Sequence, residues 1–569
     1  MLYRPALRRA VSLLLLLSIG LVLIGLLLGP PEASILNAPR WLSRGLGGQR
    51  LAQGPGTPVD VLTQHNDPGR TGANLNETIL NTTNVNIRTF GKLFTRPVDG
   101  QIYAQPLYVS SLNIAHKGVH DVVFVATMHN SVYAFDADNP TASAPLWHLT
   151  LGASIPVTNA DFGGKYGAYH DIKVEIGIVS TPVIDLASNT IYVLTSNRDG
   201  DGRYVHRLHA LDLATGAEKF GGPVETQGSV PGTGVDSVGG RVTFNNKQQL
   251  QRPALLLANG RVYVAFGPYA DTDPYHGWIL AYDARTLRRV AIFNVTPNGG
   301  AGGIWQSGWG PAADENGNVY VSTSNGDWNA DRGGPNYAQS IIKLGADLTV
   351  EDWYTPWDVA SKADDQDLGS TGVMLIPGTD LLFSGDKYPN FYVLNRDNLG
   401  HFNPRGDTQI VQRFEAMKGP IQGGVAFWDG PTGAQVYVWS AFDSLKAFRL
   451  DGGKFLTTAA SQITSTIPLA DWPGCMLSVS ANGNAAGSGI VWALCPHNGD
   501  ASISTADATL RAFDASDLSK ELWNSGQDPA RDDVGRWAKF NAPTIANGKV
   551  YVPTFSGYLA VYGLLPPAH

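Results

Sequence analysis

One phrase returns along the whole chain and restricts the fold more than any other feature. It is an apolar strand often led by proline, a short turn, a strand like "VYV", a variable loop, then a strand like "LxAYD". Examples run from "VVFVATMHNSVYAFDA" through "RPALLLANGRVYVAFG...GWILAYDA" and "GPAADENGNVYVSTSN...SIIKLGAD" to "APTIANGKVYVPTFSGYLAVYG". Eight such units lie about 55 to 70 residues apart, and each reads as a four-stranded antiparallel sheet. The sequence therefore predicts an all-β chain, an eight-bladed β-propeller of four-stranded antiparallel blades. Its last unit has only three strands before "LLPPAH", and "GKLFTRPV" (91–98) stands alone ahead of the first unit. An N-terminal strand that completes the last blade would close the ring and remove an exposed edge.

Length alone would allow several domains in 569 residues, but a single closed ring accounts for residues 59–564, with 565–569 as a tail. Sixty-five glycines and thirty-five prolines, spread along the chain, fit many short strands joined by tight turns. A formal charge of -8 gives no basic face for a phosphate backbone, so nucleic acid is excluded as the expected partner. Residues 1–29 carry Arg4, Arg8 and Arg9 ahead of an apolar run from Val11 to Leu28. They read as a signal peptide or an uncleaved signal anchor, and residues 30–58 as a flexible linker. The propeller is thus expected outside the cytoplasm, secreted, periplasmic or tethered to a membrane through the N-terminal segment.

Cys475 and Cys495 are the only cysteines and flank a Gly/Asn-rich turn centred near Ala485. Hairpin pairing would set them opposite each other, and an oxidising compartment favours a disulfide between them. No Cys-x-x-Cys-His occurs, so the sequence attaches no haem.

Strands alternate in direction within a blade, so loops after second strands share a face with the connections between blades. The long loops gather there, and loops held by a rigid scaffold are where binding and catalysis concentrate. One of them follows the fourth unit's second strand: "VYVSTSNGDWNADRGGPNYAQSIIKL...DWYTPWD". This run resembles the fourth blade of the pyrroloquinoline quinone (PQQ) dehydrogenases. Their pattern is a strand ending Gly-Thr-Gly-Asn, then Trp-Asn, an Arg-Pro-Gly-Asp-Asn segment, a further strand and Thr-Pro-His-Asp. Asn325, Trp328, Asn329, Arg332, Gly333, Asn336, Thr355, Pro356 and Asp358 follow its order. "DKYPNFYVLNRD" likewise resembles the family's Lys/Arg-x-Gly-x-x-Tyr-x-Leu-Asp-Arg, with Lys387, Tyr392, Leu394 and Arg396 in register.

The resemblance implies a quinone in the channel with a calcium ion, which prefers hard oxygen ligands. It makes Asn325 a calcium ligand and cofactor contact. Asp367 becomes the catalytic base and a second metal ligand, with Asp364 and Asp365 as rivals. Lys387 would hydrogen-bond the quinone oxygens, and Trp309, or alternatively Trp305, would stack on the cofactor. Where the family has a ligating Glu in the third blade this chain has none, and Asp273 or Asp271 would supply a shorter carboxylate. The adjacent Cys-Cys of many alcohol-oxidising members is also absent, with Val174 and Glu175 in its place. The implied activity is oxidation of an alcohol or sugar, with electrons leaving to a separate acceptor. The alternative is a noncatalytic propeller of the same repeat that binds protein or glycan on its loop face.

Overall fold

The computed structural model describes residues 59–158, 162–164, 167–169, 171–361, 366–466, 468–501, 503–567. The expected leader, linker and last tail residues, and Asp364 and Asp365, lie outside the described residues. Eight sheets follow one another along the chain, their consecutive strands antiparallel and in sequence order, with blade 8 completed by an N-terminal strand. Blade 1 spans residues 107–150, blade 2 183–225, blade 3 256–294 and blade 4 312–354. Blade 5 spans 374–415, blade 6 425–462, blade 7 476–524 and blade 8 544–564. The only α-helix among the described residues is the single turn Pro529–Asp532. Three blades depart from four strands by short additions: Gln249–Leu250 in blade 3, Lys454–Phe455 in blade 6 and Ala73–Asn74 in blade 7.

Each strand alternates its side chains across the sheet, so both faces of a blade bury apolar residues against neighbouring blades. Between blades 6 and 7, Trp428, Tyr437 and Trp439 pack on Leu477, Val491 and Phe513. Each such buried side chain contributes about 1.5–3 kcal/mol. The ring closes as the repeat requires. Phe90–Pro97 is the outer strand of blade 8, pairing antiparallel with Tyr558–Leu564 through a bulge between Lys92 and Phe94.

In blade 7, Met476 faces Leu494, which places Cys475 opposite Cys495, and their sulfurs are joined. The segment "RDGDGR" is a surface turn in which Arg203 and Arg207 occupy the Asp199 carboxylate.

No repeat marks residues 61–77, and they do what no repeat unit does. They circle the inside of the ring, bonded to successive inner strands: Val61 to Tyr108, Leu62 to Ile184, Pro68 to Ala313, Gly69 to Leu375, Thr71 to Phe427 and Gly72 to Val479. Ala73–Asn74 then pairs in parallel with Val479 and Ser480. The plug is pinned by Arg70, fully buried, whose guanidinium donates to Thr63 Oγ1, Gln64 O, Leu255 O and Pro311 O. The plug's backbone partners Tyr108, Ile184, Ala313, Leu375, Phe427 and Val479 each lie inside an inner strand, past the residue that begins it at the long-loop face. The channel is therefore filled below that face and leaves the loop side as the site.

Candidate functional site

Inner strands descend from the long-loop face, so the residues just ahead of them line the channel mouth. Asp367 is such a residue. It sits in extended backbone before the 3-10 turn Leu368–Ser370, where Leu368 N–H donates to Gln339 Oε1 at 3.0 Å. Gly369 lies so close to the fourth blade that a Cβ would stand 2.5 Å from Ser324 Oγ and 2.8 Å from Ser324 N. Only glycine permits that approach. It brings Asp367 beside Ser324, the neighbour of Asn325. Gly326, at φ 151°, repeats the device: a Cβ there would meet Gly302 N at 2.5 Å. With Gly302 N–H donating to Asn325 O at 2.6 Å, this fixes the Asn325 backbone.

Lys387 follows the second strand of blade 5, Leu381–Gly385, and its Nζ lies 3.0 Å from Asp367 Oδ1. Asp367 is 3% exposed, so the pair is largely shielded from solvent. Burial works to raise the Asp367 carboxyl. The Lys387 ammonium and the Ser324 hydroxyl outweigh it and hold the group below its ordinary range. Next in the chain after Ser324, Asn325 has its Oδ1 buried with no hydrogen-bond partner among the described residues. An orphaned carbonyl oxygen costs about 1–3 kcal/mol, a strain that a bound cation or donor would relieve.

Asp367 and Lys387, read from separate motifs, thus pair beside Ser324, and Asn325 is the next residue along the chain. The third blade contributes differently from the expectation. Asp273 is exposed at the loop tip, because the chain turns there ahead of Pro274. Asp271 is half-buried and accepts a hydrogen bond from Tyr275 Oη at 3.0 Å. Burial, then Asp271, then Asp367 and Asp273 push the Tyr275 phenol well above its usual range, so its hydroxyl lies in the field of all three carboxylates. The described residues hold no group of three His, Cys, Asp or Glu that could bind a metal without other oxygen donors.

The two tryptophans also divide. Trp309 is 2% exposed and packs on the plug, its ring 4.2 Å from that of His65, among core residues such as Met374 and Phe383. Trp305 is half-buried, with Lys387 Nζ 5.8 Å from its ring centre and Phe540 edge-on at 5.1 Å. The geometry gives Trp305, the alternative, the place facing the site. The reason is the descent of the inner segment, which carries Trp309 onto the plug at His65.

Other residues at the mouth carried no motif. Arg252 of blade 3 reaches across to blade 8, donating to Lys539 O at 3.0 Å, and its guanidinium lies over Tyr103 and Phe540. Lys539 Nζ donates to Asp171 O at 2.7 Å. The signal that could have found them is positional: Arg252 and Lys539, like Asp367, precede an inner strand by a few residues.

No protein-family model matches the sequence, and comparison with curated proteins returns no match. Solved structures do match in fold. A quinohemoprotein alcohol dehydrogenase from Pseudomonas putida HK5 superposes with a TM-score of 0.54 at 15% identity, over 90% of this chain and 81% of its own. A europium-containing methanol dehydrogenase gives 0.56 at 16%, over 90% and 99%. The quinohemoprotein alcohol dehydrogenase from Comamonas testosteroni gives 0.52 at 18%, over 90% and 81%. The chain therefore has the propeller fold of these quinoprotein dehydrogenases, and at such identity the likeness concerns fold alone.

Proposed function

We propose that the protein is an extracytoplasmic quinoprotein oxidoreductase that oxidises a small hydroxylated substrate, an alcohol or sugar, and passes electrons to a separate acceptor. The observation that carries this reading is the buried Asp367–Lys387 pair against Ser324, with the orphaned Asn325 Oδ1 on the following residue. The neighbours in fold and the disulfide, which suits an oxidising compartment, support it.

The residues fit the expected groups. Asn325 Oδ1 and the Asp367 carboxylate are hard oxygen donors of the kind calcium takes, and Asp271 is a further carboxylate nearby. Bound PQQ would supply a two-electron acceptor for hydride, and bound calcium would supply a Lewis acid. Asp367, kept ionised by Lys387 and Ser324, takes the substrate hydroxyl proton as hydride leaves the carbinol carbon. Lys387 presents an ammonium where negative charge develops on an oxygen. Trp305 offers a flat apolar face toward Lys387.

A second reading is favoured by the rim. Trp357, Phe442, Leu469 and Ile503 are exposed large apolar residues on long-loop-face segments. A noncatalytic propeller would use them to bind protein or glycan.

The test is to supply the full chain with PQQ and calcium, isolate it, and follow dye reduction with a panel of alcohols and sugars. The expected result is a retained chromophore and turnover that Asp367→Asn lowers by about 10²–10⁴-fold with the chromophore still bound. No bound quinone at saturating cofactor and metal rejects the dehydrogenase and leaves the binding propeller.

A further inference from the structure

Arg252 and Lys539 are used neither by the Asp367 chemistry nor by the core. Arg252 is 4% exposed and Lys539 6% exposed, and they meet from the third and eighth blades. A guanidinium has five N–H donors, yet Arg252 makes two side-chain hydrogen bonds, to Val179 O at 3.4 Å and Lys539 O at 3.0 Å. Among the described residues it forms no ion pair. The faces of Tyr103 and Phe540 lie 5.5 and 5.3 Å from it. Such cation–π contacts return about 0.5–2 kcal/mol each, against a burial cost of several kcal/mol for the ion. An anion would supply the charge partner that these contacts lack.

The surroundings specify that anion. Asp171 and Asp500 are the carboxylates whose field reaches Lys539, and Arg252 and Lys173 oppose them. The walls are aromatic: Tyr103, Trp305 and Phe540, with Tyr169 and Tyr269 behind. An unbroken run of contacts leads from Asp367 to Lys387, Trp305, Phe540 and Arg252. We propose that Arg252 and Lys539 form an anion-recognition centre at the channel mouth for a planar aromatic polycarboxylate, with carboxylates on the two cations and rings against the aromatic wall. This rests on the proposed quinone reading, in which the polycarboxylate is the cofactor itself.

The test is calorimetric titration of the full chain with three probes: PQQ, its uncharged trimethyl ester, and benzene-1,2,4-tricarboxylate. Arg252→Gln is expected to weaken PQQ and the tricarboxylate by about 10- to 100-fold, with the ester unaffected, and Lys539→Met to do the same more weakly. If Arg252→Gln does not fold, the Lys539→Met titration decides alone. Tricarboxylate bound through Arg252 with PQQ ignored supports the anion centre and rejects the quinone cofactor. PQQ bound equally by the unaltered protein and both variants overturns the centre and leaves the quinone reading standing. Failure of all three probes overturns both.

Discussion

Arg70 and Arg252 are both buried guanidinium groups inside one channel, and burial lowers each pKa to about 10. Arg70 is surrounded by acceptors fixed by the fold. Five hydrogen bonds of 2.8–3.2 Å satisfy it, and Asp67 lies close enough to favour its charge. Arg252, nearer the mouth, has two hydrogen bonds and two aromatic faces. The difference separates a charge that holds the structure from one that the structure holds ready for something else.

Removing Arg70 should produce the largest effect. Arg70→Met strands the carbonyls of Gln64, Leu255 and Pro311 and should destabilise the propeller by about 3–5 kcal/mol in urea unfolding. Arg252→Gln relieves an uncompensated charge and should change stability by less than about 1 kcal/mol. Equal losses would erase the distinction. Cys475 and Cys495 tie together the blade on whose inner strand the plug ends. Replacing both by serine should cost about 3 kcal/mol, the loop-entropy value for a 20-residue separation, read as a lower melting temperature. A loss as large as that of Arg70→Met would show the bridge to be as important as the plug.

The smallest effect sharpens the mouth itself. Burial lowers Lys539 to about 8, with Arg252 and Lys173 adding to it and Asp171 and Asp500 opposing it. A bound anion favours the charged form, so tricarboxylate affinity should be level below pH 8 and fall by up to about tenfold per unit above it. The sign for stability is the opposite. The unfolded chain keeps the proton up to the ordinary lysine range, so ligand-free stability should rise between pH 8 and about 10.5 on this group's account. Affinity that is flat across pH 7–9.5 would remove Lys539 from the site.

The motifs named Asp367 and Lys387, which the fold pairs, but not Arg252 or Lys539 at the same mouth. Asn325 and Lys387 were legible because each ends a second strand at a motif. Asp367 was legible because it precedes an inner strand. Trp309 and Trp305 share a stretch of five residues. Their order along a descending segment, which decides the one facing the mouth, depends on where the chain bends.

Repetition by itself determined the number of blades, their strand order, the N-terminal strand that closes the ring and the hairpin that opposes the two cysteines. Hydrophobic alternation and turn residues act locally and recur in each unit, so one chain carries the information eight times. Only the tertiary structure decided that residues 61–77 fill the channel, that Trp305 rather than Trp309 faces Lys387, and that Arg252 meets Lys539. Those relations join residues up to 471 positions apart, through backbone carbonyls and aromatic faces that almost any sequence supplies. Ring closure creates the juxtaposition, and no local pattern encodes it.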